Sequence, residues 1–292
     1  MRTYLLSVGL SLVIATLGAG QGLGEPGPEV SRNEAVAAIR GLGGEVRYDE
    51  KSPGRPIVVV DLVQTDVVDA DLVFLKGLTH LRSLYLNSTR VTDAGLEHLK
   101  GLTSLQWLRL GGPAPDDGSP PRGYVTQVTD AGLEHLKGLA NLHVLHLTNT
   151  QVTDAGLEHL RGLKSLQVLR LCRTQGTDAG LEHLKELTNL HELNLSDTRV
   201  TDAGLGHLKG LNRLRDLNLG RTQVTDAGLE HLKGLNSLRD LNLERTQVTG
   251  PGLDHLKGLT NLQNLDLRNT RVTDAGLEHL EGLTNFQGLS LY

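Results

Sequence analysis

The sequence predicts an α/β solenoid in which about nine similar coils stack along one axis, each coil being a short strand followed by a short helix. Three observations predict it: a recurring twelve-residue segment, a constant spacing of 24 residues between most of its copies, and a 292-residue chain with only 3% aromatic residues, whose core must therefore be aliphatic. A coil of this size cannot bury its apolar residues alone, so the fold depends on the stacking of neighbours.

The recurring segment is VTDAGLEHLKGL, which begins at Val91 and returns unchanged at Val128 and Val224. Aligned on its first residue, the copies begin at positions 67, 91, 128, 152, 176, 200, 224, 248 and 272. The step from 91 to 128 is the exception to the spacing, because it contains an insertion of 13 residues. This register assigns nine units to one continuous array.

Each coil shows two hydrophobic periods. Leu84 and Leu86 alternate and so share one face of a short strand, whereas Leu96, Leu99 and Leu102 recur every third residue, as on one side of a short helix. A fully buried leucine contributes roughly 1.5–3 kcal/mol. Stacked coils are therefore stable where a single coil is not.

One deviant copy predicts where the helices begin. It carries Gly250 and Pro251 where the other copies have Asp and Ala. Because proline is tolerated at the first helical position and glycine is acceptable just before it, we expect the aspartate of the other copies, such as Asp93, to be the helix N-cap.

A threonine two residues before each copy forms a second regular feature. It follows the strand, where the backbone turns, and we expect its buried hydroxyl to bind the neighbouring coil. The row consists of Thr65, Thr89, Thr126, Thr150, Thr174, Thr198, Thr222, Thr246 and Thr270.

The pattern Leu-x-x-Leu-x-Leu-x-x-Thr-x-Val-Thr-Asp-Ala-Gly-Leu resembles that of the leucine-rich repeat family, over about Ile57 to Tyr292. It is most similar to bacterial repeats of the same length and to the cysteine-containing class of F-box proteins, which has Cys or Asn at the threonine position. The resemblance implies a right-handed horseshoe with a parallel sheet on the concave side and short helices on the convex side. It also implies binding of a partner, usually a protein, on the concave face. The segment 31–56 is too short to be an F-box.

The ends of the chain differ from the repeats. Residues 1–20 combine a short basic start, an apolar run and small residues, which predicts a secretory signal peptide, and residues 21–30 form a Gly- and Pro-rich linker. Residues 31–56 open with a capping box, Ser31 to Glu34, and predict an N-terminal cap made of a helix and a hairpin. The solenoid spans 57–292 with a loop insertion at 111–124, and its last coil has no cap, which makes self-association through that coil plausible.

The copies differ mostly at the residues that flank the inward leucines of each strand, on the concave face. One end of this face is aromatic and basic and the other is acidic, a composition typical of a binding interface. The candidate partner-binding residues are Tyr85, Trp107, Arg109, His146, Arg170, Arg173, Glu192, Asp216, Asp240 and Asp266.

Several chemistries are not supported. A net charge of −5 with mixed signs argues against nucleic acid binding. The histidines of the repeated Glu-His-Leu recur once per coil, too far apart to share a zinc ion. A cysteine nucleophile needs a base within hydrogen-bond reach, and we expect His146 to lie one strand and one row away from Cys172, the single cysteine. We therefore predict no catalytic residues, no metal and no cofactor.

The sequence thus predicts a bacterial, exported, non-enzymatic repeat protein, periplasmic or extracellular, that binds a protein through its concave face. Two alternatives remain. One is an intracellular adaptor or effector of the F-box-associated type that recognises substrates for a modifying enzyme. The other is a structural, self-assembling envelope component. An uncleaved N-terminal segment would instead tether the protein to a membrane.

Overall fold

The structure, a computed structural model, describes residues 31–112 and 127–291. The predicted signal peptide, the linker and all of the insertion except Gly111 and Gly112 lie outside the described residues. Among the described residues, no helix has both the length and the apolar character needed to cross a membrane.

The described residues form one eleven-stranded sheet whose strands lie side by side in chain order. Strands β1 and β2 pair antiparallel, and every later neighbour pairs parallel. The strands are β1 Glu45–Tyr48, β2 Ile57–Asp61, β3 Ser83–Tyr85, β4 Trp107–Arg109, β5 Val144–His146, β6 Val168–Arg170, β7 Glu192–Asn194, β8 Asp216–Asn218, β9 Asp240–Asn242, β10 Asn264–Asp266 and β11 Gly288–Ser290.

Short helices return the chain from one strand to the next on the convex side. The α-helices are α1 Arg32–Gly41, α2 Asp93–Leu96, α3 Asp130–Glu134, α4 Asp154–Glu158, α5 Asp178–Glu182, α6 Asp202–Leu205, α7 Asp226–Leu229 and α8 Asp274–Leu277. Segments of 3₁₀-helix span Asp69–Gly77, Glu97–Leu99, Gly206–Leu208, Glu230–Leu232, Gly250–Leu256 and Glu278–Leu280. The predicted solenoid is confirmed.

The core lies between the sheet and the helices and consists mainly of leucine. Leu84 and Leu86 of one coil and Leu96 and Leu99 of its helix are fully buried, and their counterparts as far as Leu267 are at most 2% exposed, whereas Leu289 in the last coil is 38% exposed. The two hydrophobic periods therefore meet in one interior that continues from coil to coil. At the N-terminal end of this core, α1 begins after Ser31 with both capping-box hydrogen bonds present. The helix buries Ala35 and Ile39 against the first coil.

The predicted N-cap is wrong by one residue. The threonine before the aspartate is the N-cap: Thr92 has extended backbone angles and its hydroxyl accepts a hydrogen bond from the Ala94 N–H at 3.4 Å. Asp93 occupies the first helical position and its carboxylate is directed to the next coil. There it accepts hydrogen bonds from the backbone N–H and the hydroxyl of Thr129, at 2.7 and 2.6 Å.

This Asp–Thr bracket repeats at seven junctions between adjacent coils. The pairs are Asp69–Thr92, Asp93–Thr129, Asp130–Thr153, Asp154–Thr177, Asp178–Thr201, Asp202–Thr225 and Asp226–Thr249. At the eighth junction Gly250 replaces the aspartate, and a Cβ atom on Gly276 would lie 2.3 Å from the Gly250 Cα. The two backbones therefore come into direct contact where the bracket is missing.

The threonine row is largely buried, as predicted, but its hydroxyls bind their own coil rather than the neighbouring one. The Thr174 hydroxyl donates to the Leu171 carbonyl at 2.7 Å. The residue before it, Arg173, has a φ of 56°, in the left-handed region. This turn brings the hydroxyl back to its own strand, which explains the difference from the prediction.

Candidate functional site on the concave sheet face

The candidate site is the concave face of β3–β10, where side chains from adjacent strands form two continuous rows. The middle row is in register across eight strands and contains Tyr85, Arg109, His146, Arg170, Asn194, Asn218, Asn242 and Asp266. The row on its amino-terminal side contains Ser83, Trp107, Val144, Val168, Glu192, Asp216, Asp240 and Asn264. Because neighbouring strands are about 4.8 Å apart, each row is an uninterrupted strip.

The aromatic and basic residues lie together at one end of this face. Trp107 is 37% exposed and stacks on His143, with ring centroids 6.3 Å apart. The Arg109 guanidinium lies over the Tyr85 ring at 5.2 Å from its centroid. These contacts hold the three large side chains in defined positions and leave contact area open on the concave side.

His146 lies between two arginines but carries no charge at neutral pH. Burial, together with the charges of Arg170 and Arg109, lowers the pKa of its imidazole to about 3. The basic character of this end of the face therefore comes from the arginines. Arg170 itself is bound to Glu192, with its Nε 2.6 Å from the carboxylate.

The acidic end is concentrated on the amino-terminal row. Asp216 and Asp240 are register partners on β8 and β9, and Asn264 donates to the Asp240 carboxylate at 2.6 Å. Burial, the hydrogen bond and charge of Asp240 and the charge of Glu192 together raise the pKa of the Asp216 carboxyl to about 6. Among the described residues, no cation forms an ion pair with these two carboxyl groups, whereas Glu192, Glu244 and Asp266 each pair with an arginine.

The charges near the carboxyl ends of the strands form a network of ion pairs that the sequence did not indicate. Its members alternate in sign from coil to coil. The pairs are Arg173–Asp197 at 3.3 Å, Arg221–Asp197 at 4.0 Å, Arg221–Glu244 at 3.9 Å, Arg268–Glu244 at 3.4 Å and Arg268–Asp266 at 2.6 Å. Two predicted residues, Arg173 and Asp266, are thus engaged within the protein. One feature of the sequence could have predicted this network: in several coils a charged residue, such as Arg173 or Asp197, immediately precedes the threonine of the turn.

Two grooves follow the face. The carboxyl-edge groove, of about 480 Å³, runs along the ends of the strands past His146, Cys172, Asn194, Asn218 and Arg268. The amino-edge groove, of about 690 Å³, runs from Arg170 past Glu192, Asp216 and Asp240 to Ser290. Asparagines separate them. The Oδ1 of Asn194 accepts from the Ser196 N–H and that of Asn218 from the Gly220 N–H, both at 2.9 Å, which leaves the Nδ2 of these two asparagines as a donor.

The arrangement offers contact area and hydrogen-bonding groups. Within the two described ranges there is no group of three or more His, Cys, Asp or Glu residues that could hold a metal ion. Cys172 is 7% exposed at the wall of the carboxyl-edge groove. The repeated histidines lie on the helical side, where burial lowers the pKa of His98.

These features define a class: a repeat solenoid with an open, chemically varied concave sheet. Models of the leucine-rich repeat family match residues 188–248 and, separately, residues 77–100, 138–160 and 258–280. The chain belongs to the leucine-rich repeat family. No curated protein sequence matches it.

Solved structures share the architecture. An internalin C2 from Listeria monocytogenes is 22% identical over 89% of this chain and 91% of its own, with a TM-score of 0.53. The leucine-rich repeat ectodomain of the plant receptor kinase GASSHO1/SCHENGEN3 from Arabidopsis thaliana, in complex with CASPARIAN STRIP INTEGRITY FACTOR 2, is 19% identical over 84% of this chain, with a TM-score of 0.52. This chain covers 31% of that ectodomain. At these identities the likeness concerns the fold.

Proposed function

We propose that this chain is an exported leucine-rich repeat protein that binds a protein partner through its concave face and carries out no catalysis. The observation that carries the proposal is the distribution of difference among the coils. Leucine, the Asp–Thr bracket and the turn threonine recur in nearly every coil, whereas the concave rows change chemistry from strand to strand. The stacking of the coils does not require Trp107, Tyr85 and Arg109 to lie together at one end of this face.

The composition of that end supports a protein ligand. Trp, Tyr and Arg are the residues that most often dominate binding energy in protein interfaces. Here they are partly exposed yet held by stacking contacts, so their ordering on binding costs little entropy. The GASSHO1/SCHENGEN3 ectodomain, which shares the fold, is in complex with CASPARIAN STRIP INTEGRITY FACTOR 2, and this supports the proposal.

The binding proposal is tested by capture of partners from the organism that encodes the chain. Three tagged proteins are compared: the natural chain, Trp107→Ala with Arg109→Ala, and a matched convex variant, His159→Ala with Arg161→Ala, which also removes one ring and one guanidinium. We expect the concave variant to lose its partner by about tenfold or more and the convex variant to retain it. Equal binding by all three proteins would contradict concave recognition. Circular dichroism confirms that each variant is folded.

Export is tested by the intact mass of the protein isolated from that organism. Residues 1–20 carry the signal-like pattern, so we expect a mass lower by about twenty residues. A full-length mass would instead support either a membrane tether or the intracellular adaptor alternative.

A further inference from the structure

Arg109 and His146 are register partners on β4 and β5, and among residues 31–112 and 127–291 neither side chain has a hydrogen bond or an ion pair. His146 is only 9% exposed and lines the carboxyl-edge groove. In the described part of the chain its ring nitrogens make no hydrogen bond. These nitrogens are not enclosed, unlike Nδ1 of His143, so they can be reached by a ligand in the groove.

Arg109 differs from the other arginines that line this face. Arg170 binds Glu192, and Arg268 binds Asp266. Arg109 has no carboxylate within 4.0 Å among the described residues, and it is held instead by Tyr85 through the face of its guanidinium. Stacking occupies the face of the guanidinium. The N–H groups at its edge remain available to donate to a bidentate acceptor such as a carboxylate.

We propose that Arg109 and His146 form a docking point for a carboxylate carried by the protein partner. The inference rests on the proposed concave-face function and specifies the chemistry at one end of it. The Arg109 guanidinium supplies the charge and two N–H donors, and the His146 ring supplies a third donor at the groove wall. Tyr85 positions the guanidinium and does not itself bind the ligand.

The charge around the point favours an anion over a cation. The charged groups that face His146 are Arg109 from β4 and Arg170 from β6, and burial together with these two charges holds its pKa well below neutral. The ring therefore stays neutral and can donate one N–H to an anion. It does not add a third positive charge beside Arg109 and Arg170. Beyond Arg170, the Asn194 Nδ2 adds a further donor along the groove, since its Oδ1 is occupied by the Ser196 N–H.

The test is an NMR titration of the full chain with blocked tripeptides, Gly-Asp-Gly and its isostere Gly-Asn-Gly. The signals followed are the Arg109 Nε–H and the His146 ring, assigned with the Arg109→Gln and His146→Phe variants. We expect saturable shifts at both residues with the aspartate peptide and little change with the asparagine peptide. Arg109→Gln should weaken binding by about tenfold. Arg161→Gln, which removes an exposed arginine on the convex side, should leave it unchanged.

Three results would overturn the inference: equal shifts with both peptides, unchanged affinity in Arg109→Gln, or equal loss in Arg161→Gln. Inorganic phosphate is titrated in parallel, and tighter binding of phosphate than of the aspartate peptide would also overturn it, in favour of a phosphate site. If His146→Phe does not fold, the exposed Arg109→Gln variant still decides. Failure here leaves the capture experiment unaffected, so the concave-face proposal and this inference can fail separately.

Discussion

The Asp154 carboxylate binds Thr177 of the next coil twice, accepting from its backbone N–H at 2.7 Å and from its hydroxyl at 2.6 Å. The two residues are 23 positions apart, so the bond is a tertiary contact between coils. The same threonine hydroxyl caps the following helix by accepting from the Ala179 N–H. Each bracket therefore joins one coil to the cap of the next, and stacking and helix formation are coupled.

Replacing Asp154 with Ala should destabilise the solenoid by about 2–4 kcal/mol, because two hydrogen bonds to a charged, partly buried acceptor are lost. The measurement is the midpoint of urea unfolding followed by circular dichroism. Asp274→Ala is the control, because Asp274 occupies the same helical position without a bracketed threonine among the described residues. We expect the control to change stability by less than about 1 kcal/mol. A similar loss in both variants would show that the helix position, not the bracket, matters.

Gly180→Ala should destabilise the protein, because an added Cβ would lie 2.4 Å from the Asp154 Oδ1 and force the bracket apart. Gly162→Ala lies in the preceding coil, where an added Cβ meets nothing within 4 Å. We expect a loss of about 2 kcal/mol or more for the first variant and a neutral or slightly stabilising effect for the second. Thermal unfolding of the pair provides the comparison. If the two alanines behave alike, the close approach at Gly180 is relieved without cost.

Asp216→Asn should stabilise the protein at neutral pH and have little effect in acid. The folded-state pKa of Asp216, about 6, lies above its ordinary value of 3.8, so the folded state binds more protons than the unfolded chain between these values. Its contribution is therefore most favourable below about pH 4 and is lost as the pH rises through about 6. Because the group is partly exposed, we expect a gain of only about 1 kcal/mol at about pH 7.5. Urea midpoints at the two pH values test this, and an equal gain at both would contradict the assignment.

Binding at the concave face should change the intrinsic fluorescence of the protein, because Trp107 is the only tryptophan in the chain and lies 37% exposed on that face. Burial of the indole by a partner should shift its emission to shorter wavelength. The check is a titration with whichever partner the capture experiment identifies. Binding without any change in emission would place the contact away from β4.

The sequence predicted the register of the concave face but not the state of its residues. Adjacent strands carry Tyr85, Arg109, His146 and Arg170 in one row, as a constant period requires. Whether a charge in that row is available depends on neighbours from other rows. Arg170 is paired with Glu192, Asp266 with Arg268 and Arg173 with Asp197, whereas Arg109 has no ion pair in the part of the chain that the structure describes.

The repeat period by itself determined the solenoid, the leucine core and the order of the strands, because identical coils can bury their apolar faces only by stacking in register. Only the tertiary structure decided that Thr92, not Asp93, caps its helix, since the partner of Asp93 is Thr129 on the next coil. It also decided that His146 is buried and neutral. Local propensity carries the pattern within one coil. Hydrogen bonds, ion pairs and pKa values across the stack depend on distances between coils, which no single repeat encodes.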